Sequence, residues 1–135
     1  VSFREILICG SDFHDLTAET RSLRDLENLP FVCMSRGTST YTFYQQLFLK
    51  HNLAFHVEME AGTMDQGLAM VQSNLGVGFY PESMAASALA AGTVFQIRLA
   101  EPIPERFVNL IEDTSRPQSV AMKAFKKMLL APEEE

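Results

Sequence analysis

The order of apolar and polar residues is most informative over residues 62–81. Thr63 is followed three residues later by Gln66, the pattern of a capping box, in which two side chains satisfy backbone donors at a helix start. The apolar residues behind them recur at helical spacing and would form one stripe: Met64, Leu68, Val71 and Leu75. Gly76 stands where a residue in the left-handed conformation would end that helix. The pattern therefore predicts a capped helix closed by a glycine turn.

The same run continues into a predicted strand. Residues 77–80 are apolar, and Pro81 would end them. Gly78 lies inside this strand, where the lack of a side chain would let a ligand or a neighbouring backbone come close. A helix, a glycine turn and a strand occur in many α/β domains, so this run alone does not indicate a ligand.

Segments of strand character alternate with segments of helical character along the rest of the chain. Strands are predicted at residues 3–9, 31–34, 54–60, 77–80, 93–99 and 107–111. Helices are predicted at residues 22–26, 41–51, 64–75, 82–91 and 118–130, and a loop at residues 13–21. This alternation predicts an α/β fold, with a mostly parallel sheet and helices on both of its faces.

Composition narrows the class of protein. Of the 135 residues, 47% are hydrophobic and 21% are charged, which is the balance of one soluble globular domain. No apolar run approaches the roughly 20 residues needed to span a bilayer, and the apolar residues 6–9 are too few for a signal sequence. We therefore expect a cytoplasmic protein without membrane contact.

The net charge of −6 argues against direct contact with nucleic acid, because duplex binding needs clustered cations. The one basic cluster consists of Lys123, Lys126 and Lys127 on the last predicted helix, where a solvated face explains it. We expect this chain not to bind DNA itself.

The two cysteines are predicted to be buried, reduced thiols. Cys9 and Cys33 each lie in an apolar strand segment, and neither has a basic neighbour in the sequence. A redox-active thiol would need exposure and nearby cations, and the pair lacks the spacing of a zinc site.

No residue pattern predicts catalysis, a metal site or a cofactor. His14, His51 and His56 lack the spacing of metal ligands. Glu58 and Glu60 point to one side of a predicted strand, as an acid–base pair would, but alternation on a solvated strand face gives the same pattern. The nucleophile-elbow, P-loop and dinucleotide-binding motifs are absent from the sequence.

Residues 35–40 are the segment with the clearest chemical character, because they place a glycine and several hydroxyl groups between a predicted strand and a predicted helix. A helix start offers free N–H groups and the positive end of a dipole to an anion. Thr63 opens another helix after another strand, and open α/β sheets bind ligands at the carboxyl ends of their strands. Simple N-capping without a ligand is the alternative for either loop. Two such helix starts at one edge favour a small anionic ligand, and the candidate binding residues are Ser35, Gly37, Thr38, Ser39, Thr40, Thr63, Met64, Gly78 and Pro81.

Several segments, taken in order, are similar to one known family. They are residues 23–32, with a leucine–x–aspartate–leucine pattern before a proline and a strand, residues 35–40, residues 60–63 with Met70 and Val71, residues 76–81, residues 92–99 and the last helix with Phe125. In this order they resemble the effector-binding domain of LysR-type transcriptional regulators. The similarity covers nearly the whole chain.

The resemblance implies a specific architecture and role. In that family the effector-binding domain has two lobes, like a type 2 periplasmic binding protein, and the effector lies in the cleft between them. Residues 1–112 would be the second lobe, and residues 113–135 a helix and tail belonging to a first lobe absent from this chain. The role would be sensing a small-molecule effector, with promoter DNA bound only by the missing N-terminal helix-turn-helix domain.

Two other functions share this fold. A lobe of a type 2 solute-binding protein is the leading alternative, and the absence of a signal sequence and the unpaired cysteines argue against it. An enzyme would need a catalytic constellation. A homodimer is expected, because the apolar face of the last helix would lack its usual partner: Ala121, Phe125, Met128 and Leu129.

Overall fold

Strands and helices alternate along the chain as predicted. The computed structural model describes residues 1–131. The strands are β1 (Ser2–Phe3), β2 (Glu5–Cys9), β3 (Phe31–Met34), β4 (Val57–Ala61), β5 (Gly78–Pro81), β6 (Phe95–Ile97) and β7 (Arg106–Phe107). The helices are α1 (Leu23–Leu26), α2 (Ser39–Lys50), α3 (Met64–Gln72), α4 (Glu82–Ala90) and α5 (Val120–Leu130), and a 3-10 helix covers Ser11–Thr17.

The central sheet has the strand order β4-β3-β5-β2-β6. Regular ladders join β3 to β4 in parallel, and β2 to β5 and β6 in the antiparallel direction. A parallel bridge between Phe31 and Val77 joins β3 to β5, where the Val32 amide donates to the Val77 carbonyl at 2.8 Å. Hence β4, β3, β5 and β6 run one way and β2 runs the other. The mostly parallel α/β sheet is confirmed, but strand direction leaves no trace in hydrophobic periodicity, so the reversal of β2 was not predicted.

Helices cover both faces of this sheet, as predicted. Side chains alternate along β2, so that Leu7 and Cys9 face one core and Ile6 and Ile8 face the other. The first core is completed by residues of α1 and α2, and the second by residues of α3 and α4. Burial on both faces explains why these strands are almost continuously apolar.

The turn between α3 and β5 differs from the prediction. α3 ends at Gln72, and Asn74, with a φ of 61°, takes the left-handed conformation predicted for Gly76. Leu75 therefore lies outside the helix and is 45% exposed, instead of extending the apolar stripe. A Cβ atom on Gly76 would overlap the carbonyl oxygen of Pro30. This glycine is needed because the turn passes directly against the start of β3.

Two further segments differ from the prediction. Residues 13–21, predicted as a loop, include most of the 3-10 helix Ser11–Thr17, whose short length leaves little periodic signal. The strand predicted at residues 107–111 is reduced to β7, which pairs with β1 over two residues. Ile111 is 89% exposed. Residues 108–111 belong to no strand among the described residues.

α5 forms as predicted but is not packed into either core. Ser119 caps it by accepting the Met122 amide N–H at 3.2 Å. None of its side chains is buried, and Phe125 and Met128 are 60% and 75% exposed. The predicted apolar face is therefore open in residues 1–131. α5 belongs to the unit predicted at residues 113–135. The last four residues of that unit, 132–135, lie outside the described residues.

Candidate functional site

Three helix starts and the start of β2 meet at one edge of the sheet. Because β3, β4 and β5 run in the same direction, their carboxyl ends lie together, and α2, α3 and α4 begin there. The reversed strand β2 starts at the same edge, where Glu5 pairs in register with Pro81. This is the edge at which open α/β sheets bind ligands.

Thr38 organises the start of α2. Its hydroxyl accepts the Tyr41 amide N–H at 3.2 Å and donates to the Ser35 carbonyl at 2.8 Å. Gly37, with a φ of 87°, allows the turn between Ser35 and Thr38. The Ser35 hydroxyl donates to the Ala61 carbonyl at 3.5 Å. The loop is thus tied to the end of β4.

Thr63 caps α3 in the same way, accepting the Gln66 amide N–H at 3.2 Å. The side-chain oxygen of Gln66 accepts the Gly62 amide N–H at 3.0 Å, one residue before the cap itself. Thr38 and Thr63 are therefore both N-caps, as the alternative explanation of these loops requires. It does not exclude a ligand, because a cap occupies only part of the free donors of a helix start.

A narrow cavity of about 20 Å³, partly open to solvent, lies between the first turns of α2 and α3. Three of the predicted binding residues line it: Thr40, Met64 and Gly78. Its other lining residues are mostly apolar: Val32, Cys33, Met34, Tyr44, Ala61, Gly67, Val71, Phe79 and Tyr80. The cavity brings both predicted helix starts to one place.

The remaining predicted residues lie around the cavity or away from it. Gly37 and Ser39 line a separate groove along α2. Four others do not line the cavity as far as the described residues show: Ser35, Thr38, Thr63 and Pro81. The space above Gly78 is taken up by packing, since a Cβ atom there would lie 3.0 Å from the Val32 carbonyl oxygen.

A buried ion pair lies beside the cavity and was not predicted. The Glu5 side chain is 1% exposed, and Arg106 donates from Nη1 to its Oε1 at 3.1 Å. Arg106 also donates from Nη2 to the Thr40 hydroxyl at 3.1 Å. Burial raises the pKa of Glu5, and Arg106 opposes that shift. The other carboxylate oxygen, Oε2, is buried without a hydrogen-bond partner in residues 1–131.

From the sequence alone, Glu5 could be suspected of forming a buried pair, but its partner could not be identified. Glu5 opens an otherwise apolar strand, and a buried carboxylate requires a partner. Nothing local points to Arg106, which lies 101 residues later.

Two further polar groups at this edge were also missed. The Tyr44 hydroxyl is buried without a partner among the described residues, and its ring stacks on Phe79 with centroids 4.2 Å apart. Arg36 is exposed and paired with Glu60, Nε to Oε1 at 3.3 Å, and its amide donates to Oε2 at 3.1 Å. Arg36 and Arg106 are thus both already engaged with carboxylates.

Both cysteines are buried, as predicted, with exposures of 0% for Cys9 and 8% for Cys33. Burial raises the pKa of each thiol to about 11, so both are protonated at neutral pH. Residues 1–131 contain no group of three or more His, Cys, Asp or Glu side chains placed to hold a metal ion. No helix in the described part of the chain has the length and apolar character to cross a bilayer.

Residues 4–132 match the family described as the LysR substrate binding domain. The chain belongs to this family. The resemblance found in the sequence is thereby confirmed. Over 109 residues it is 26% identical to a probable RuBisCO transcriptional regulator from Guillardia theta, an alignment that covers 78% of this chain and 35% of that regulator.

Two solved structures share the fold of this LysR domain. The effector binding domain of QuiR in complex with shikimate has a TM-score of 0.79 and 21% identity, covering 96% of this chain and 60% of that one. The regulatory domain of Synechocystis PCC6803 CcmR in complex with 2-PG also has a TM-score of 0.79, with 19% identity, covering 96% of this chain and 62% of that one. The predicted periplasmic-binding-protein-like fold is confirmed. The chain spans about a third of the regulator's length and about 60% of each solved domain.

Proposed function

We propose that this LysR domain senses a small anionic metabolite bound where α2 and α3 begin. The observation that carries the proposal is that Thr40 and Met64, first-turn residues of these two helices, line one cavity. A molecule there would contact both helix starts at once. The mostly apolar lining suits the uncharged part of such a metabolite.

The helix starts, more than the arginines, favour an anion. Arg36 and Arg106 are paired with Glu60 and Glu5, so each pair contributes little net charge. The first-turn N–H groups that the threonine caps leave free have no partner within their helices, and the helix dipoles point their positive ends toward the cavity. A carboxylate or phosphate group matches these donors.

We further propose the family's arrangement for the whole protein. Residues 1–112 form the second lobe of the effector-binding domain, and residues 113–135 belong to the first lobe. The uncovered α5 and the 60% coverage of the solved domains support this division. The full protein would be a cytoplasmic homodimer that binds promoter DNA through a separate N-terminal domain.

Calorimetry on the full-length protein with a panel of small carboxylates and phosphorylated acids tests the ligand class. Shikimate and 2-phosphoglycolate belong in that panel, because structural relatives are bound to them. A panel in which only neutral or cationic compounds bind would reject the anionic ligand.

The location of the site is tested by a charge at the mouth of α3. Met64→Glu adds a carboxylate to the cavity wall at the first position of α3, where an acidic residue favours the helix. Like-charge repulsion of about 1.4 kcal/mol would weaken binding of the anion about tenfold. Met64→Gln, the neutral control of equal length, should bind within about twofold of wild type. Equal affinity in both variants would place the anion elsewhere.

A further inference from the structure

Arg106 connects the cavity wall to the ladder between β1 and β7. Its Nη2 donates to Thr40, which lines the cavity, and its Nη1 donates to Glu5 at the start of β2. In the β1–β7 ladder Arg106 lies opposite Phe3. One residue therefore touches the first turn of α2 and the sheet edge through its side chain, and the ladder through its backbone.

The Arg106 guanidinium packs against two aromatic rings in addition to donating its hydrogen bonds. Its central carbon lies 5.0 Å from the ring centroid of Phe43 and 5.5 Å from that of Phe3, and the Arg106 side chain is 16% exposed. A planar fork packed against two rings has few orientations. A displacement of Thr40 would therefore act on Arg106, and through Arg106 on Glu5 or on β7.

Glu5 offers Arg106 a second arrangement. Only its Oε1 is engaged, and Oε2 is buried without a partner in residues 1–131. An arginine and a carboxylate pair best through two parallel hydrogen bonds. If Arg106 released Thr40 and donated to both oxygens of Glu5, the unsatisfied acceptor would gain a partner. The pair thus has two competing hydrogen-bond patterns that differ in whether Thr40 is held.

We propose that Arg106 is a positioning residue that couples the ligand cavity to the β1–β7 ladder by exchanging Thr40 for the second oxygen of Glu5. The inference rests on the proposed function, because a ligand in the cavity is what acts on Thr40. A ligand oxygen that accepts the Thr40 hydroxyl proton orients the hydroxyl to accept from Arg106 and selects the first pattern. β7 then takes the position that this pattern fixes, and residues 108–131 follow it.

The coupling is measured without ligand, by comparing amide NMR spectra of the 135-residue chain and its variants. Thr40→Val removes the acceptor and keeps the side-chain shape, and it should shift the amide signals of Arg106, Phe107 and Val108. Thr40→Ser keeps the hydroxyl and should restore the wild-type positions of these signals. Thr42→Val, at an exposed position on the same helix, should leave them unchanged.

The reverse perturbation starts from Arg106. Arg106→Lys keeps the charge but loses the fork, and amide hydrogen exchange at Tyr41 and Thr42 should become several-fold faster, since both amides donate to Thr38 in the first turn. Arg4→Gln, which breaks the exposed pair with Glu105, is the matched control and should leave this exchange unchanged.

The coupling would be overturned if Thr40→Val shifted only signals of α2 and Arg106→Lys changed hydrogen exchange only near β7. If Arg106→Lys does not fold, the Thr40 variants alone decide the question. Cross-element shifts in a protein that binds no anion would reject the proposed function and keep the coupling. Anion binding without signal shifts between the two elements would support the proposed function and reject the coupling.

Discussion

Glu5 shows how a single buried charge depends on an element far away in the sequence. Its side chain reaches Arg106 only because β7 returns to the sheet edge beside β2. Burial favours the neutral carboxyl and Arg106 favours the carboxylate, and burial is the larger influence, so the pKa of Glu5 is raised. Such a pair need not stabilise the fold more than apolar residues would, but the loss of one partner is costly.

The raised pKa predicts a pH dependence of definite sign. Between the ordinary value of 4.5 and its raised value in the fold, Glu5 binds more protons in the folded state than in the unfolded state. The free energy of unfolding contributed by this group therefore falls as pH rises through that window. Glu5→Gln removes the titration, so the stability of wild type minus that of the variant should decline as pH rises above 4.5.

Urea denaturation at a series of pH values measures this difference. Glu105→Gln is the control, because it makes the same substitution at a glutamate whose side chain is 51% exposed. A difference that grows with pH over the same window would mean that Arg106 outweighs burial.

At the scale of helices and turns, local chemistry was predictable and non-local contact was not. The start of α3 followed from Thr63 and Gln66, because a cap is made by residues of one turn. The turn after α3 was predicted wrongly, because the role of Gly76 depends on Pro30, which belongs to another part of the sheet. The apolar residues 107–111 were predicted as a strand, but only Phe107 pairs, with Ser2 of β1, a contact that the local pattern does not encode.

A glycine inside α3 and a glycine in the α3–β5 turn should respond oppositely to alanine. Gly67 lies inside α3, and a Cβ there would meet the Ala61 Cβ at an ordinary 3.6 Å, so Gly67→Ala should stabilise the fold by about 0.5–1 kcal/mol. Gly76→Ala forces a methyl group onto the Pro30 carbonyl and should cost about 1–3 kcal/mol. Urea unfolding of the two variants measures both values, and equal effects would show that the Gly76 turn can move away from β3.

At the scale of the whole molecule, topology decided which residues at this sheet edge could be predicted from the sequence. Thr40, Met64 and Gly78 were predicted, because helix starts after parallel strands share one edge by a general rule. Glu5 and Arg106 were missed, because they reach that edge through a reversed strand and a late two-residue strand. The hydrophobic pattern encodes which face of a strand is buried, but not its direction or its neighbours.

The uncovered face of α5 predicts self-association of this chain. Phe125, Met128 and Leu129 are 60%, 75% and 49% exposed, and apolar residues between 107 and 111 are exposed as well. Burying one large apolar side chain is worth roughly 1.5–3 kcal/mol, so these side chains together favour contact with a second surface. In the proposed full protein the first lobe would supply it, and in the 135-residue chain a second copy is the remaining source. Light scattering at micromolar concentration should give the mass of a dimer.

The face responsible is identified by placing the same charged residue on either side of α5. Phe125→Asp puts a carboxylate in the apolar face and should return the mass to that of a monomer. Lys127→Asp puts it on the opposite side of the helix and should leave the dimer intact, which separates loss of apolar contact from a general effect of added negative charge. A wild-type monomer, with a mass that Phe125→Asp does not change, would mean that α5 has no tendency to pair. The assignment of residues 113–135 to a first lobe would then lose its main support.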